Sequence, residues 1–233
     1  QHIFIENDFL LAILLALIIF IYLPSITGPF LFDDIVNIVE NPKVRITDLS
    51  ITSLKQGLLS NNSGPLKRIL PALSFSINYY SSNNFKDTLP FKVTNLTIHI
   101  FNTVLVFYIC CLIWPFFIKK TQVATASYLT TALWALHPLQ LTTVTYVVQR
   151  MTSMATMFTL IGLCLFIVGR KRYEAKGTGF ILMSSGIIVG NFLGLLCKET
   201  AILTLAYVFI IEISCFNQIQ AKKTNFNKLF YFY

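Results

Sequence analysis

The chain has 233 residues, of which 55% are hydrophobic and only 12% are charged, and its mean hydropathy is +0.68. Ordinary soluble domains carry about 25% charged residues, so this composition excludes a typical soluble fold and predicts an integral membrane protein. The net charge of +8 does not indicate a nucleic-acid partner, because most Lys and Arg lie in connecting segments and no basic patch is interleaved with aromatic residues.

The first predicted membrane span is followed by Pro24 rather than by a small-residue cleavage site, which favours an anchor over a removed signal peptide. Residues 24–90 then form a long polar loop, expected to be extracytoplasmic. Within this loop, residues 48–59 place apolar side chains at helical spacing, and residues 69–80 follow Arg68 with a similar pattern. Both patterns predict short amphipathic helices on the membrane surface.

The last apolar stretch, residues 179–216, is too long for one helix and is interrupted by Lys198 and Glu199. Because such a pair is costly at the centre of a bilayer, it predicts a turn at one membrane face with a span on either side. The expected fold is an all-α polytopic membrane protein, with six transmembrane helices in a single domain covering residues 1–233. The predicted spans are residues 9–23, 91–114, 123–139, 151–169 and the two parts of 179–216.

The basic segments predict the orientation of these spans. They follow the second, fourth and sixth spans, at Lys119 and Lys120, at residues 170–176 and at residues 221–228. Since short basic loops face the cytoplasm, the opposite, extracytoplasmic face receives the first loop, residues 137–150 and the Lys198 turn.

The five cysteines, Cys110, Cys111, Cys164, Cys197 and Cys215, lie inside apolar runs or at their ends. This arrangement predicts buried small hydrophobic residues rather than a disulfide framework or a zinc site.

Charged residues converge on the predicted outer face, and each has a structural and a functional interpretation. Asp33 and Asp34 could be a solvated helix cap, or they could be a general base with a second acid that tunes it or binds a cation. Arg150 could anchor a helix to lipid headgroups, and Lys198 and Glu199 could neutralise each other in a turn. Because all these charged residues are predicted on the same membrane face, together they favour a functional site.

Five stretches together resemble a known family: FLFDDIVNIVENP, RILPALSFSINYY, FKVTNLTIHIFNTVLVF, ALWALHPLQLTTVTYVVQRMTSMATMF and LGLLCKETAILTL. Their order is similar to the membrane half of bacterial tetratricopeptide-repeat glycosyltransferase-like proteins. These are similar to the eukaryotic transmembrane and tetratricopeptide-repeat protein O-mannosyltransferases, and both resemble the GT-C superfamily. Relatives often carry Arg-Pro-Leu where this chain has Arg68, Ile69 and Leu70.

The resemblance implies a glycosyltransferase in the bacterial cytoplasmic membrane, with its active face outside. It would move a sugar from a polyprenyl-phosphate donor to a hydroxyl of a protein or glycan. One of Asp33 and Asp34 would deprotonate the acceptor, and the other would orient it or help to bind a divalent cation, Mg²⁺ or Mn²⁺, which only some superfamily members use. The leaving phosphate would be bound by Arg150, Lys198 and Arg68, with support from Glu199, His137 at a sugar hydroxyl, and His99 and Asn102 in a lipid groove.

The ends of the sequence predict a partial chain. It opens without Met and closes on the apolar segment NFNKLFYFY, which resembles the start of a seventh span, and the repeat domain that follows in relatives is not present. Two other classes compete with the enzyme: an inactive scaffold of the same fold, and a small transporter. A transporter favours acidic residues near mid-span, and the one acidic candidate, Glu212, is close to the inner end of the sixth predicted span.

Overall fold

The computed structural model describes residues 2–82 and 84–217, and the residues in these two ranges form helices and connecting turns without a β-strand. The all-α class is therefore confirmed. The predicted seventh span and the basic segment 221–228 lie outside the described residues. The helices are α1 (His2–Tyr22), α2 (Ile51–Leu58), α3 (Ile69–Ser82), α4 (Leu89–Ile113), α5 (Lys120–Ala135), α6 (Leu141–Thr145), α7 (Arg150–Lys176), α8 (Phe180–Leu195) and α9 (Leu203–Ile211).

Three helical segments of the described chain are long and apolar enough to cross a membrane: Leu89–Phe116, Val147–Lys176 and Glu199–Phe216. Two shorter apolar helices, Phe9–Ser25 and Phe180–Leu195, accompany them. Helix α5, which contains most of the predicted third span, falls in neither group because threonine, serine and glutamine interrupt its apolar residues. The structure thus supports a membrane protein with three candidate spans, and the count of six stays a prediction.

The interruption of the last apolar stretch is confirmed. Helix α8 ends at Leu195, the 3-10 turn Glu199–Ile202 follows, and α9 begins at Leu203. Lys198 has an extended backbone between them, with φ −163° and ψ 148°. The charged pair therefore lies in a turn between two apolar helices.

Large apolar side chains on α1, α8 and α9 point outward. The exposed fraction is 75% for Phe20, 84% for Ile181 and 65% for Phe209. Contiguous apolar surface of this kind is rare on soluble monomers and is typical of surfaces that face lipid.

Glycine brings α7 and α8 into close contact. A Cβ atom at Gly190 would lie 2.8 Å from the Cα atom of Gly162, and one at Gly186 would lie 2.7 Å from the carbonyl oxygen of Gly162. With Gly194, these α8 glycines recur every four residues, and small residues at that spacing let membrane helices approach closely. The α7–α8 pair is consequently a rigid wall of the helical assembly.

Helix α4 turns a polar face inward. Lys92, Asn95, His99, Asn102 and Thr103 are all buried on this helix. Because buried polar groups need partners, the first four of these side chains bond to neighbouring segments, and Thr103 bonds to the His99 carbonyl of its own helix. The contacts to Ala135 and Ser153 fix the position of α4 relative to α5 and α7.

Short helices occur at both places in the first loop where the sequence predicts them, as α2 and α3. Ser50 caps α2, since its hydroxyl accepts a hydrogen bond from the Ser53 amide. Gly57 allows α2 to approach α3, because a Cβ atom there would meet the Ser76 hydroxyl at 2.6 Å. The loop is folded against the helices rather than extended from them.

Three of the five cysteines are buried as the sequence predicts, and Cys110 and Cys111 are partly buried. All five are free, and Cys164, Cys197 and Cys215 are buried. They pack as small apolar side chains in the described part of the chain.

Candidate active site

A cavity of about 190 Å³ brings together residues from four distant parts of the sequence. Asp33 comes from the segment after α1, Arg68 precedes α3, and Lys198 lies in the turn between α8 and α9. The first turn of α7 and the two residues just before it complete the wall. The lining residues are Asp33, Asn37, Ser63, Arg68, Val148, Gln149, Met151, Thr152 and Lys198.

The two neighbouring aspartates are placed differently. Asp34 is fully buried, and its carboxylate accepts hydrogen bonds from the amides of Val148 at 2.7 Å, Leu31 at 3.0 Å and Val147 at 3.2 Å. Burial raises the pKa of Asp34, while these amides and the charge of Lys92 act in the opposite direction. Asp34 therefore fastens the first loop to the start of α7.

Asp33 is exposed and lines the cavity. Its own backbone amide donates to the Tyr146 hydroxyl at 3.1 Å, and its carbonyl accepts from the Asn37 side chain at 2.9 Å. These bonds fix the backbone, and the Tyr146 hydroxyl that accepts from the Asp33 amide can donate its own proton to the Asp33 carboxylate. Among the described residues, no lysine or arginine forms a salt bridge with this carboxylate. Of the predicted catalytic pair, Asp33 is the carboxylate available to a substrate.

Two cations face the same cavity. The Lys198 ammonium donates to the Thr152 hydroxyl at 2.7 Å, and burial together with the charge of Arg68 lowers the pKa of Lys198, although Glu199 opposes this. Arg68 forms a salt bridge of 3.2 Å with Glu199, but its buried Nε atom has no partner among the described residues. The predicted groups Arg68, Lys198 and Glu199 are thus brought together. The Lys198 ammonium and the Arg68 Nε atom keep protons that could be donated to an anion.

Strained backbone flanks this cavity. Phe32, Lys67 and Arg68 have φ angles of 45°, 55° and 46°, in a region that non-glycine residues seldom occupy. Gly64 also has a positive φ, 75°, and a side chain there would collide with the Glu199 carboxylate. Such conformations persist where surrounding contacts impose them, and they cluster at functional sites.

Arg150 does not line the cavity, contrary to its predicted position at a lipid phosphate. It is completely buried, and its guanidinium donates to the Asn95 side chain at 2.7 Å, the Phe91 carbonyl at 2.7 Å and the Ser74 hydroxyl at 3.0 Å. The guanidinium also lies 4.7 Å from the centre of the Phe75 ring. Arg150 therefore joins α7 to α3 and α4, because its donors point inward rather than toward the cavity.

His99 and Asn102 also lie in the interior rather than along a lipid groove. A ring nitrogen of His99 lies 3.1 Å from the Ala135 carbonyl, and the Asn102 amide donates to the Ser153 carbonyl at 3.0 Å. Both side chains are nearly inaccessible, because the polar face of α4 is turned toward α5 and α7.

His137 is exposed but lies outside the cavity. Its Nδ1 atom accepts the Leu139 amide at 3.2 Å and so caps the turn Pro138–Gln140. The structure gives it a capping contact, and its role at a sugar stays a prediction.

Sequence reasoning missed Asn37, Ser63, Gln149 and Thr152 as lining residues. Gln149 and Thr152 are three residues apart at the start of α7, and they bond to each other at 2.9 Å. That spacing puts two polar side chains on one helix face, which is the signal that could have identified them. Nothing in the sequence marks Asn37 or Ser63.

A divalent cation fits this donor set poorly. Within residues 2–82 and 84–217, no three His, Cys, Asp or Glu side chains converge as metal ligands would. The cavity offers one carboxylate, Asp33, against the two cations Arg68 and Lys198, while the Asp34 oxygens are occupied by backbone amides. Hard divalent cations need several oxygen ligands, so the cavity suits a phosphate better than Mg²⁺ or Mn²⁺.

The comparison with known proteins gives one informative relative. The mouse protein O-mannosyl-transferase TMTC4 is 30% identical over 206 aligned residues, which cover 81% of this chain. The chain spans about a quarter of that relative, 27% of its length. No family model matches the chain, and no solved structure gives a significant match. The chain is therefore similar to a part of a protein that carries the name of an O-mannosyltransferase.

Proposed function

We propose that the chain is the membrane part of a glycosyltransferase, with the cavity around Asp33, Arg68 and Lys198 as its active site. The donor is a sugar linked to a polyprenyl phosphate, and the acceptor is a hydroxyl of a protein or glycan. The similarity to the mouse O-mannosyl-transferase supports the enzyme class.

One observation carries this proposal: an exposed carboxylate and two cations share a small cavity although they are far apart in the sequence. The Arg68–Glu199 salt bridge spans 131 residues, and the Asp33–Tyr146 hydrogen bond spans 113. Glu199 pairs with Arg68, whereas the ammonium of Lys198 bonds to the neutral Thr152 hydroxyl and the Arg68 Nε atom has no described partner, so both cations keep donors for a phosphate. A phosphate beside a carboxylate base is the combination that this reaction requires.

The chemistry needs no additional group. Asp33 accepts the proton of the acceptor hydroxyl as its oxygen attacks the anomeric carbon, and the bond between that carbon and the phosphate oxygen breaks. The electron pair stays on the leaving phosphate, where Lys198 and Arg68 stabilise the developing charge. Glu199 holds the Arg68 guanidinium in position.

An adjacent groove supports a lipid-linked donor. A second cavity, of about 450 Å³, lies between α7 and the α9 region, and Thr152 lines both cavities. Apolar side chains such as Leu160 and Leu203 form much of its wall, and three further threonines and a tyrosine line it as well. A polyprenyl chain in this groove would present its phosphate to Lys198, which bonds to the Thr152 hydroxyl.

The charge distribution supports an extracytoplasmic site. The cavity is built at the start of α7, whereas the basic segment 170–176 ends the same helix about 30 Å away at 1.5 Å per residue. Because basic loops favour the cytoplasm, we infer that the cavity faces the outer side of the membrane. We further assign the protein to a bacterial cytoplasmic membrane, which it crosses with six spans.

The transporter alternative is less well supported. Glu212 forms hydrogen bonds of 2.9 Å to 3.1 Å with Arg170, a residue that also pairs with Glu174. An acidic residue that is already paired in this way lacks the free carboxylate that an ion pathway uses.

The proposal is tested by transfer of mannose from a polyprenyl-phosphate donor, using the protein that contains this chain. Asp33→Asn removes the basic oxygen at nearly constant size, so the transfer rate should fall about 10²- to 10⁴-fold. Asp87→Asn is the matched control, because Asp87 is an exposed aspartate of the same loop that does not line the cavity. It should leave the rate unchanged.

Thermal unfolding of both variants separates chemistry from folding. Asp33→Asn should unfold at the wild-type temperature, because the side chain is exposed and asparagine keeps an oxygen that can accept a hydrogen bond from the Tyr146 hydroxyl. Wild-type transfer by Asp33→Asn would reject the mechanism. An absence of transfer by the wild-type protein with mannose and with other polyprenyl-linked sugars would favour the inactive scaffold.

A further inference from the structure

A further polar and apolar cavity lies at the opposite end of α7 from the candidate active site. It has a volume of about 570 Å³ and lies between the ends of α4 and α7. Apolar and aromatic side chains form one part of its wall and basic side chains form the other. The residues that matter are Tyr108, Leu112, Val168, Lys171, Arg172 and Lys176.

The three cations of this cavity have no acidic partner among the residues that the structure describes. In residues 2–82 and 84–217, none of Lys171, Arg172 and Lys176 forms a salt bridge, since the nearby Glu174 and Glu212 pair with Arg170. Arg172 and Lys176 are exposed. The cavity therefore carries positive charge that the described chain leaves uncompensated.

Lys171 is held in a fixed position. Its ammonium donates to the Leu112 carbonyl at 2.6 Å and lies 5.0 Å from the centre of the Phe116 ring. One ammonium proton is used by the carbonyl, so two remain for a ligand. This contact also joins the end of α4 to the end of α7 and shapes the wall of the cavity.

The position of this cavity relative to the candidate spans indicates the kind of ligand that it could bind. Leu89–Phe116 and Val147–Lys176 are both long and apolar enough to cross a bilayer, and the cavity lies where both end. Tyr108 is 47% exposed beside it, as amphipathic rings are at a membrane interface. A ligand here meets lipid tails on one side and three cations on the other, and basic pockets of this kind between membrane helices bind anionic headgroups.

We propose that this cavity is a binding site for an anionic phospholipid, whose phosphate contacts Lys171, Arg172 and Lys176. The acyl chains lie along the apolar surface formed by Leu112 and Val168. The site is separate from the candidate active site and does not depend on the proposed sugar transfer.

The test is a titration of the purified full chain in detergent, with bound lipid counted by native mass spectrometry. Phosphatidylglycerol is the probe and phosphatidylcholine is the neutral comparison. The double variant R172Q/K176Q should weaken phosphatidylglycerol binding about tenfold or more and leave phosphatidylcholine binding unchanged. The control K119Q/K120Q removes the same charge from exposed residues at the same end that do not line the cavity.

The control variant should bind phosphatidylglycerol as the wild type does, and the charge-preserving variant R172K/K176R should retain binding. Equal weakening in both double variants would overturn the proposal, because it would show a response to surface charge alone. Wild-type affinity in R172Q/K176Q would overturn it too. Full displacement of the lipid by an equal concentration of soluble glycerol phosphate would indicate a site for a free phosphate and also reject it. If R172Q/K176Q does not fold, the single variants R172Q and K176Q are measured instead. Each should bind phosphatidylglycerol about threefold more weakly than the wild type does.

Discussion

The interior around Arg150 and the cavity around Lys198 are two charged regions that differ in how their charges are satisfied. Each of the three nitrogens of the Arg150 guanidinium donates to an acceptor within the protein, and the side chain is inaccessible to solvent. Lys198 has one hydrogen bond, to Thr152, and Arg68 beside it keeps an unpartnered Nε atom.

The difference separates structural charge from charge that is available to a ligand. The two aspartates show the same difference, since three backbone amides bind the buried Asp34 carboxylate, whereas the Asp33 carboxylate is exposed in the cavity. Substitution in the saturated region should therefore change stability, and substitution in the cavity should change ligand binding or turnover.

The largest effect is expected from Arg150→Met. It removes the donors for the Asn95 side chain, the Phe91 carbonyl and the Ser74 hydroxyl in a buried site, where unpaired acceptors are costly. The free energy of unfolding should fall by about 3 kcal/mol or more, as measured by denaturant or thermal unfolding. Arg172→Met, at an exposed arginine of the same helix, should change it by less than about 0.5 kcal/mol.

A smaller loss of stability is expected from Asp34→Asn. The new amide nitrogen cannot accept a hydrogen bond, so at least one of the Val147, Val148 and Leu31 amides loses its partner. Unfolding free energy should decrease by about 1–3 kcal/mol, whereas Asp33→Asn should leave it unchanged. Equal stability of the two asparagine variants would contradict the division of roles between these aspartates.

The mildest effect is a pH dependence of donor binding. The pKa of Lys198 is lowered by burial and by the Arg68 charge, and a bound phosphate should raise it again. Donor affinity should be constant while Lys198 is protonated, and it should fall as pH rises through the lowered pKa, earlier than for an ordinary lysine.

Lys198→Arg provides the control for this profile. Arginine stays protonated throughout the accessible range, so the decrease in affinity at alkaline pH should disappear. The measurement is the dissociation constant of the polyprenyl-linked donor between about pH 7 and pH 10. An unchanged profile in Lys198→Arg would assign the titration to another group.

The sequence was informative about which residue types occur where, and less informative about the direction in which they point. The break at Lys198 followed from composition alone, because charge is costly inside a membrane. Asp33 and Asp34 were treated as a pair, yet successive residues on a helical turn point about 100° apart, so one reaches the cavity and the other the interior. Arg150 begins a helix, and only the packing of α3 and α4 against α7 shows that it faces inward.

Contacts between distant segments explain two further features that could not be predicted from the sequence. The glycines at four-residue intervals on α8 are visible in the sequence, but their partner Gly162 is identified only by the contact between the helices. Asn37 and Ser63 reach the cavity through the folding of the first loop, and residues that approach each other across such sequence distances leave no periodic signal.

The anchoring of the first loop by Asp34 has a consequence for biosynthesis. Asp34 accepts its shortest hydrogen bond from a residue 114 positions later in the chain. At a synthesis rate of roughly 5–20 residues per second, this partner emerges roughly 6–23 s after Asp34 does. During that interval the loop has been made without the α7 amides that hold it, so the cavity is assembled in the order of translation. The Lys198 turn, which is synthesised later still, is the last side of the cavity to be added.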